Sequence, residues 1–315
     1  MWQGLRKVVA SGGRCGLSID SARVALAHVQ RQADGALRLA TAAIDRRAND
    51  DDWPHRLEQQ ANGIRLGRTR LASVLPNGSY QLVLVAVPDV PANEVKSAIR
   101  WQIKDLLDFP VDEAVVELFE MPELSTKKDK SMAYAVATRR TNVQEHIELL
   151  HDAGLSLDVI DIPELCTRNI ATLLPQDADG IAFLHFAENH GTLTVTRQGV
   201  LYLIRQIEKG TAAMDGVSQD DFARTEMISK IVLETQRSLD YYESYFDNGP
   251  ITELVLAPGS NIGGLADSLH EELGLTISSL DLNGMFETRT AMSTAEQSDC
   301  LLAIGAALRT EPQAA

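Results

Sequence analysis

Cysteine is scarce in this chain of 315 residues: Cys15, Cys166 and Cys300 are odd in number, far apart and form no CxxC. That excludes a disulfide-stapled scaffold and argues against a thiolate zinc site. Long apolar runs are missing as well, and nothing approaches the ~18 residues a membrane span needs. The opening MWQGLRKVVASGG holds an apolar stretch too short for a signal-peptide core, so the expectation is a cytoplasmic protein. Catalytic signatures are absent. There is no HExxH and no GxSxG, and the glycine-rich Gly12-Gly13-Arg14-Cys15-Gly16 lacks the GK[ST] of a phosphate loop. His146 and His151 are five apart and do not share a helix face. His185 and His190 bracket a turn without a metal signature.

Basic charge is also in short supply. The net charge is −15, which excludes a nucleic-acid binder, because phosphate backbones select clustered Lys and Arg. The charge is uneven: residues 1–70 hold 12 Lys/Arg and 7 Asp/Glu, a balance of +5, so the remainder carries −20. A basic amino-terminal part suits an anionic membrane surface or an ordinary solvated face. Trp2, Leu5, Val8 and Val9 with Arg6 and Lys7 fit membrane contact or a frayed terminus.

What is present is a core of ordinary size, with 44% hydrophobic and 5% aromatic residues. Residues 15–29 read as two apolar runs about a turn at Asp20–Arg23, and a third run spans Leu37 to Ile44, making a meander of strands. Residues 45–79 read as polar, and 80–88 as a buried strand. A helix opens near Pro91, with Val95, Ile99, Ile103 and Leu106 on one face, and ends before Pro110. Residues 114–121 and 132–138 form a hairpin. Thr141 to Gln144 reads as a capping box opening a helix that Gly154 stops, and 157–162 is a strand followed by a helix to about Leu174. The pattern then restarts: 180–207 gives the same meander, about 165 residues after the first. Helix 222–246, strand 251–259, helix 261–273, a strand from Leu275 and helix 295–309 follow. In helix 222–246 the cluster Tyr241, Tyr242, Tyr245 and Phe246 is a partner surface or, by its spacing, a helix end packed on the core. A duplicated meander followed by helix–strand units suggests the actin-like two-lobed α/β plan. The expected units are 14–79 with 156–178 as a first lobe, 80–155 as an inserted α/β subdomain, 179–308 as a second lobe and 309–315 as a tail.

Several stretches together resemble the PilM family of cytoplasmic, actin-like (ribonuclease H-like) type IV pilus assembly components, most closely its mannose-sensitive haemagglutinin (MSHA) pilus branch, MshI. They are GLSIDSARVALAHV (16–29), IRWQIKDLLDFPVDEAVVELFEMP (99–122), AYAVATRRTNVQEHIELLHDAGLSLDVIDIPELC (133–166), IVLETQRSLDYYESYF (231–246) and LVLAPGSNIGGLADSLHEELGL (254–275). Similarity to FtsA, actin and the cytoplasmic domain of GspL is more distant. The resemblance implies a scaffold at the inner face of the bacterial inner membrane. It would bind the cytoplasmic tail of a PilN-like inner-membrane protein, other pilus assembly proteins and, as an open alternative, itself.

The resemblance also implies a nucleotide cleft on the two meander turns, and the residues depart from what such a site needs. The first turn calls for an Asp to hold hydrated Mg²⁺ and a Gly for close backbone approach to phosphate. Ser18 stands at the Asp position, Asp20 at the Gly position, and Ser21 follows. At the second turn His185 and Ala187, ahead of Asn189, replace another D-x-G, and imidazole is a poor ligand for Mg²⁺. The adenosine-side loop survives in part at Gly259, and Glu234 with Arg237 matches the family's helix or is simply surface charge. The expectation is no enzyme and no resident cofactor, with weak ATP binding as the alternative. By the same resemblance the inserted subdomain lies near the groove for the partner's tail. Trp101, Phe109, Val115 and Phe119 are the candidate contacts, against ordinary packing between subdomains.

Overall fold

The computed structural model describes residues 13–20, 23–46, 55, 57–59, 69–122, 131–216 and 221–310. Strands β1 (Arg14–Ile19), β2 (Arg23–Arg31) and β3 (Leu37–Arg46) form the first antiparallel meander, and β4 (Arg70–Val74) runs parallel to β1. The inserted unit follows: β5 (Tyr80–Ala86), helix α1 (Ala92–Gln102), β6 (Ala114–Glu120) and β7 (Met132–Arg139). Helix α2 (Arg140–Asp152) then returns the chain to β8 (Val159–Asp161), parallel to β4, and α3 (Pro163–Ala171) closes the first half.

The second half repeats the plan. The meander is β9 (Ile181–Phe186), β10 (Gly191–Arg197) and β11 (Val200–Ile207). Helices α4 (Thr211–Gly216) and α5 (Asp221–Tyr245) lead to β12 (Glu253–Leu256), α6 (Leu265–Leu273) to β13 (Thr276–Ser279), and α7 (Leu282–Met285) to β14 (Glu287–Thr288). Helix α8 (Thr294–Ala307) is last, opened by a capping box between Ser293 and Glu296. The first sheet is ordered β14-β3-β2-β1-β4-β8 and the second β11-β10-β9-β12-β13. Both contain a meander followed by two parallel strands beside its first strand, which is the anticipated two-lobed actin-like duplication. Among the described residues no helix is long and apolar enough to cross a membrane.

The third sheet, β5-β7-β6, uses the period-two alternation of strands on both faces. Val85, Ala135, Ala137, Ala114 and Val116 face α1 through Ile99 and Ile103. Leu82, Leu84, Phe119 and Tyr134 face the second lobe. The Tyr134 hydroxyl donates to the Ile204 carbonyl at 3.3 Å and accepts from the Ile204 N–H at 2.9 Å, tying the insert to β11.

Helix α8 is sandwiched between the sheets. Its Leu301, Ala303 and Ile304 pack with Ala25 and Ala27 of the first sheet and Phe183 and Val255 of the second. So the last helix in the chain lies on the first lobe's sheet, although the expected second lobe ran to residue 308. Helix α2 falls within the expected insert, yet its Leu150 packs with Cys15, Leu17 and Leu26 of the first sheet, as befits the crossover between two parallel strands. All three cysteines are buried and unbridged, and burial pushes the Cys15 and Cys300 thiols up to about 12.

Local expectations differ from the structure at three places. Strand β4 sits inside the stretch read as polar; its five residues are too few for alternation to show. Thr141 does not cap α2, because β7 runs straight into the helix and Arg139 is the N-cap without a side-chain bond; Asn142 instead donates to the Ser79 carbonyl at 2.8 Å. Helix α1 ends before Pro110 as expected, but already at Gln102, so Ile103 and Leu106, read as part of its apolar face, lie beyond it in turns.

Close approach of α8 depends on two glycines. A Cβ at Gly16 of β1 would lie 1.9 Å from the Ala303 carbonyl oxygen, and one at Gly305 would lie 2.3 Å from that of Cys166 in α3. Both obstacles are backbone, so the helices would have to move apart. Gly16→Ala and Gly305→Ala should each cost about 3 kcal/mol or more in urea denaturation. Gly284→Ala, with nothing within 4 Å of its added methyl, should be near neutral; equal effects at the three sites would contradict this packing.

Candidate functional site

The two meander turns face each other across a cavity of about 250 Å³. From the first lobe it is lined by Ser18, Ile19, Asp20 and Arg23, and from the second by His185 through His190. The β4–β5 connection adds Leu75 to Asn77, the start of α3 adds Pro163, and α8 adds Ser298, Asp299 and Leu302. Each turn is held by its own backbone. Asp20 N–H donates to the Arg23 carbonyl at 3.0 Å, and Ala187 N–H to that of His190 at 2.9 Å. The second turn also rests on the start of α4, where Thr211 and Ala212 N–H groups donate to the Ala187 and Glu188 carbonyls, both at 2.9 Å. Gly210 allows that approach, since a Cβ there would meet three backbone atoms of the turn within 2.5 Å.

Charge in the cavity is organised around Arg23. Asp20 accepts from the Arg23 N–H and from its Nε, both at 2.9 Å. The Arg23 guanidinium also donates through Nη1 to Asp299 of α8, whose other oxygen accepts from Arg46 Nη2 at 2.7 Å. The Asp299 side chain is only 6% exposed. His185 is buried, and desolvation, then His190 and Arg23, lower it to about 4, so its imidazole is neutral near pH 7. Burial lowers His190 too. Among the described residues no group of three or more His, Cys, Asp and Glu side chains is placed to hold a metal ion.

Of the residues singled out from the sequence, Ser18, Asp20, His185, Ala187 and Asn189 come together here; Ser21 lies outside the described residues. Glu234 does not line the cavity and pairs with Arg237 at 2.8 Å on α5. Gly259, at φ 78°, is one step removed: a Cβ there would lie 3.3 Å from Ser298 Oγ, and its neighbour Ser260 Oγ accepts from the Phe186 N–H at 3.2 Å. Sequence reasoning passed over Arg23, Pro163 and Asp299. Arg23 closes the Asp20 turn and had a local signal in that spacing. Asp299 had none, being 276 residues away.

The candidate partner contacts are dispersed. Trp101 is 61% exposed. Phe109 is buried beneath the Arg139 guanidinium, 4.7 Å from its ring centre. Phe119 stacks on Tyr134 at 5.2 Å, and Val115 is half-buried on β6. Tyr242 and Phe246 are core residues around Tyr202, whereas Tyr245 stays partly exposed. A second, more open groove of about 420 Å³ runs between the β4–β5 connection and helix α2, lined by Leu75, Pro76, Ser79, Asn142, Glu145 and Leu149.

A family model described as "Type IV pilus assembly protein PilM" matches residues 83–223, the insert through the second meander. No curated protein sequence matches the chain. Among solved structures the chain is similar to a protein of the "PilM-PilN type IV pilus biogenesis complex", at 21% identity over 96% of this chain and 100% of that chain, with a TM-score of 0.71. It also matches the cytoplasmic domain of EpsL, an inner membrane component of the type II secretion system of Vibrio cholerae, at 8% identity over 92% of this chain and 94% of that chain, TM-score 0.46. A Bacteroides thetaiotaomicron protein with actin-like ATPase fold matches at 8% identity over 95% and 99%, TM-score 0.49. The first of these establishes the fold over nearly the whole chain.

The depressed His185 makes stability depend on pH. Above its unfolded value near 6.5 the imidazole is neutral in both states. Between 6.5 and about 4 the unfolded chain takes a proton that the folded chain refuses, so stability falls by up to about 3 kcal/mol across that window. His185→Gln should lose less stability than the parent between pH 7 and 4.5 in urea titrations. Parallel pH profiles for the two proteins would show that His185 protonates normally in the fold.

Proposed function

We propose that this chain is a scaffold of a type IV pilus assembly platform, of the MSHA-like branch, rather than an enzyme. In this reading it sits at the cytoplasmic face of the inner membrane and binds the short tail of a PilN-like membrane protein, with other platform proteins or a second copy as further partners. The observation that carries it is the pilus-assembly family match across residues 83–223. The fold-level likeness to PilM from its complex with PilN supports it.

The groove between the β4–β5 connection and helix α2 is the proposed seat of the tail. It offers apolar contacts from Leu75, Pro76 and Leu149 beside polar Asn142 and Glu145, a mixture suited to an extended peptide. The insert sheet, which starts directly after the groove's Ser79, is docked on the second lobe through Tyr134. Trp101 is proposed as an outer anchor, since Phe109 and Phe119 are engaged in internal packing.

The cleft favours a reading without catalysis. A magnesium nucleotide needs oxygen ligands for the metal and uncompensated donors for the phosphates. Here a serine stands at the metal-side position, the carboxylates of Asp20 and Asp299 are engaged by the chain's own arginines, and His185 is neutral. These residues do not fit Mg-ATP. The alternative, an ATP-dependent switch, is favoured by one observation, that a cavity does open between the two turns.

A tail peptide from the inner-membrane partner should be captured by the purified protein without nucleotide, and Trp101→Ala should weaken that affinity about tenfold or more, as a ~1.4 kcal/mol anchor would. Calorimetry with Mg-ATP should give no heat up to millimolar concentration. Unchanged peptide affinity in Trp101→Ala would remove Trp101 from the interface, and micromolar Mg-ATP binding would overturn the reading of the cleft.

A further inference from the structure

We infer that His146 is the recognition residue of the groove between the β4–β5 connection and helix α2, fixed by Ser73 and offering its free ring nitrogen to an N–H donor of a docked, extended peptide. The inference deepens the platform reading and rests on it, the peptide being the partner's tail. It is independent of the interlobe cleft.

Three observations carry it. First, His146 is built in rather than displayed. It is only 6% exposed, yet it lines the groove. Its Nε2 lies 2.8 Å from Oγ of Ser73, a fully buried residue of β4. The Ser73 hydroxyl donates to the Leu17 carbonyl at 3.4 Å. A hydroxyl has one hydrogen, so Oγ accepts from Nε2–H and Nδ1 is the acceptor nitrogen of the ring. Burial lowers the His146 pKa, which keeps that acceptor available near pH 7. No described residue partners Nδ1, and a ring nitrogen so sheltered calls for a partner. Second, the donors around the groove are spent inside the chain. Asn142 Nδ2 and Thr138 Oγ1 both donate to the Ser79 carbonyl, at 2.8 and 2.6 Å. The Ser79 hydroxyl and N–H both donate to the Pro76 carbonyl, at 2.6 and 3.1 Å. What the lining leaves open among the described residues are acceptors: Asn142 Oδ1, the Glu145 carboxylate and His146 Nδ1. Third, these acceptors share one stripe. Asn142, Glu145, His146 and Leu149 recur at i, i+3, i+4 and i+7 of α2, and Leu75 and Pro76 supply apolar contacts beside them.

A row of acceptors beside apolar side chains matches an extended peptide, whose N–H groups recur along its length and whose side chains alternate between two sides. A phosphate or carboxylate ligand would meet only groups like its own. The two ring nitrogens of His146 have different amide mimics, which separates recognition from support. A glutamine side chain reaches as far as Nε2 and keeps the bond to Ser73, with no polar atom at Nδ1. An asparagine places its amide near Nδ1 and does not reach Ser73.

The experiment measures thermal unfolding and calorimetric affinity for a synthetic peptide of the PilN-like partner's cytoplasmic tail, using the full chain as parent, His146→Gln and His146→Asn. His146→Gln should keep Tm within about 1 °C of the parent and weaken tail affinity about fivefold or more. His146→Asn should lower Tm by about 3 °C or more, because Ser73 loses its partner, yet keep tail affinity within about twofold of the parent. Unchanged affinity in His146→Gln, or affinities that simply follow Tm across the two variants, would overturn the inference and leave His146 as a structural partner of Ser73. Capture that responds to Trp101→Ala but not to His146→Gln would likewise remove the tail from this groove while keeping it on the protein. Failure of the parent to capture the tail at all would instead overturn the platform reading, and the inference with it.

Discussion

The contact on which the molecule depends is that of helix α8 with its two neighbours. Gly16 admits it to β1, and Gly305 admits α3 to it, at distances where any side chain would strike backbone. Because α8 follows the second sheet but packs on the first, this one helix joins the two halves of the duplication into a shared core. Dispersion and burial at such a contact fall steeply with separation. A displacement of a few tenths of an ångström would be felt in both lobes.

The cleft follows from that contact. With α8 held against β1, Ser298, Asp299 and Leu302 are presented to the two meander turns, and the turns are brought face to face. The cavity inherits the symmetry of the duplication, one meander turn from each half, and in it Asp20 and Asp299 are paired with the chain's own arginines.

The insert is built on the same economy of surfaces. Its sheet covers α1 with one face and the second lobe with the other, and the bifunctional Tyr134 hydroxyl fixes its position on β11. What remains outside on the insert is a few exposed apolar side chains, Trp101 and Leu106 chief among them. Exposure of large apolar groups on an element already committed to two internal interfaces is what singles them out.

Periodicity made much of this legible. The alternation in 15–44 and 180–207 announced two meanders and their recurrence announced the duplication, while the five cavity residues Ser18, Asp20, His185, Ala187 and Asn189 came from the family resemblance, which implied a cleft on the turns those meanders contain. Strand β4 was illegible because five residues carry too little pattern, and α2 was assigned to the insert because sequence order says nothing about which sheet a crossover helix covers. Phe109 and Phe119 looked like interface aromatics because a strand or helix has two apolar-capable faces, and only packing decides which one meets solvent. Local interactions, encoded within a few residues, are thus readable from the chain. The pairing of Arg23 with Asp299 across 276 residues, and the seating of α8 on the first sheet, exist only once long-range packing has chosen among many arrangements that the same local pattern allows.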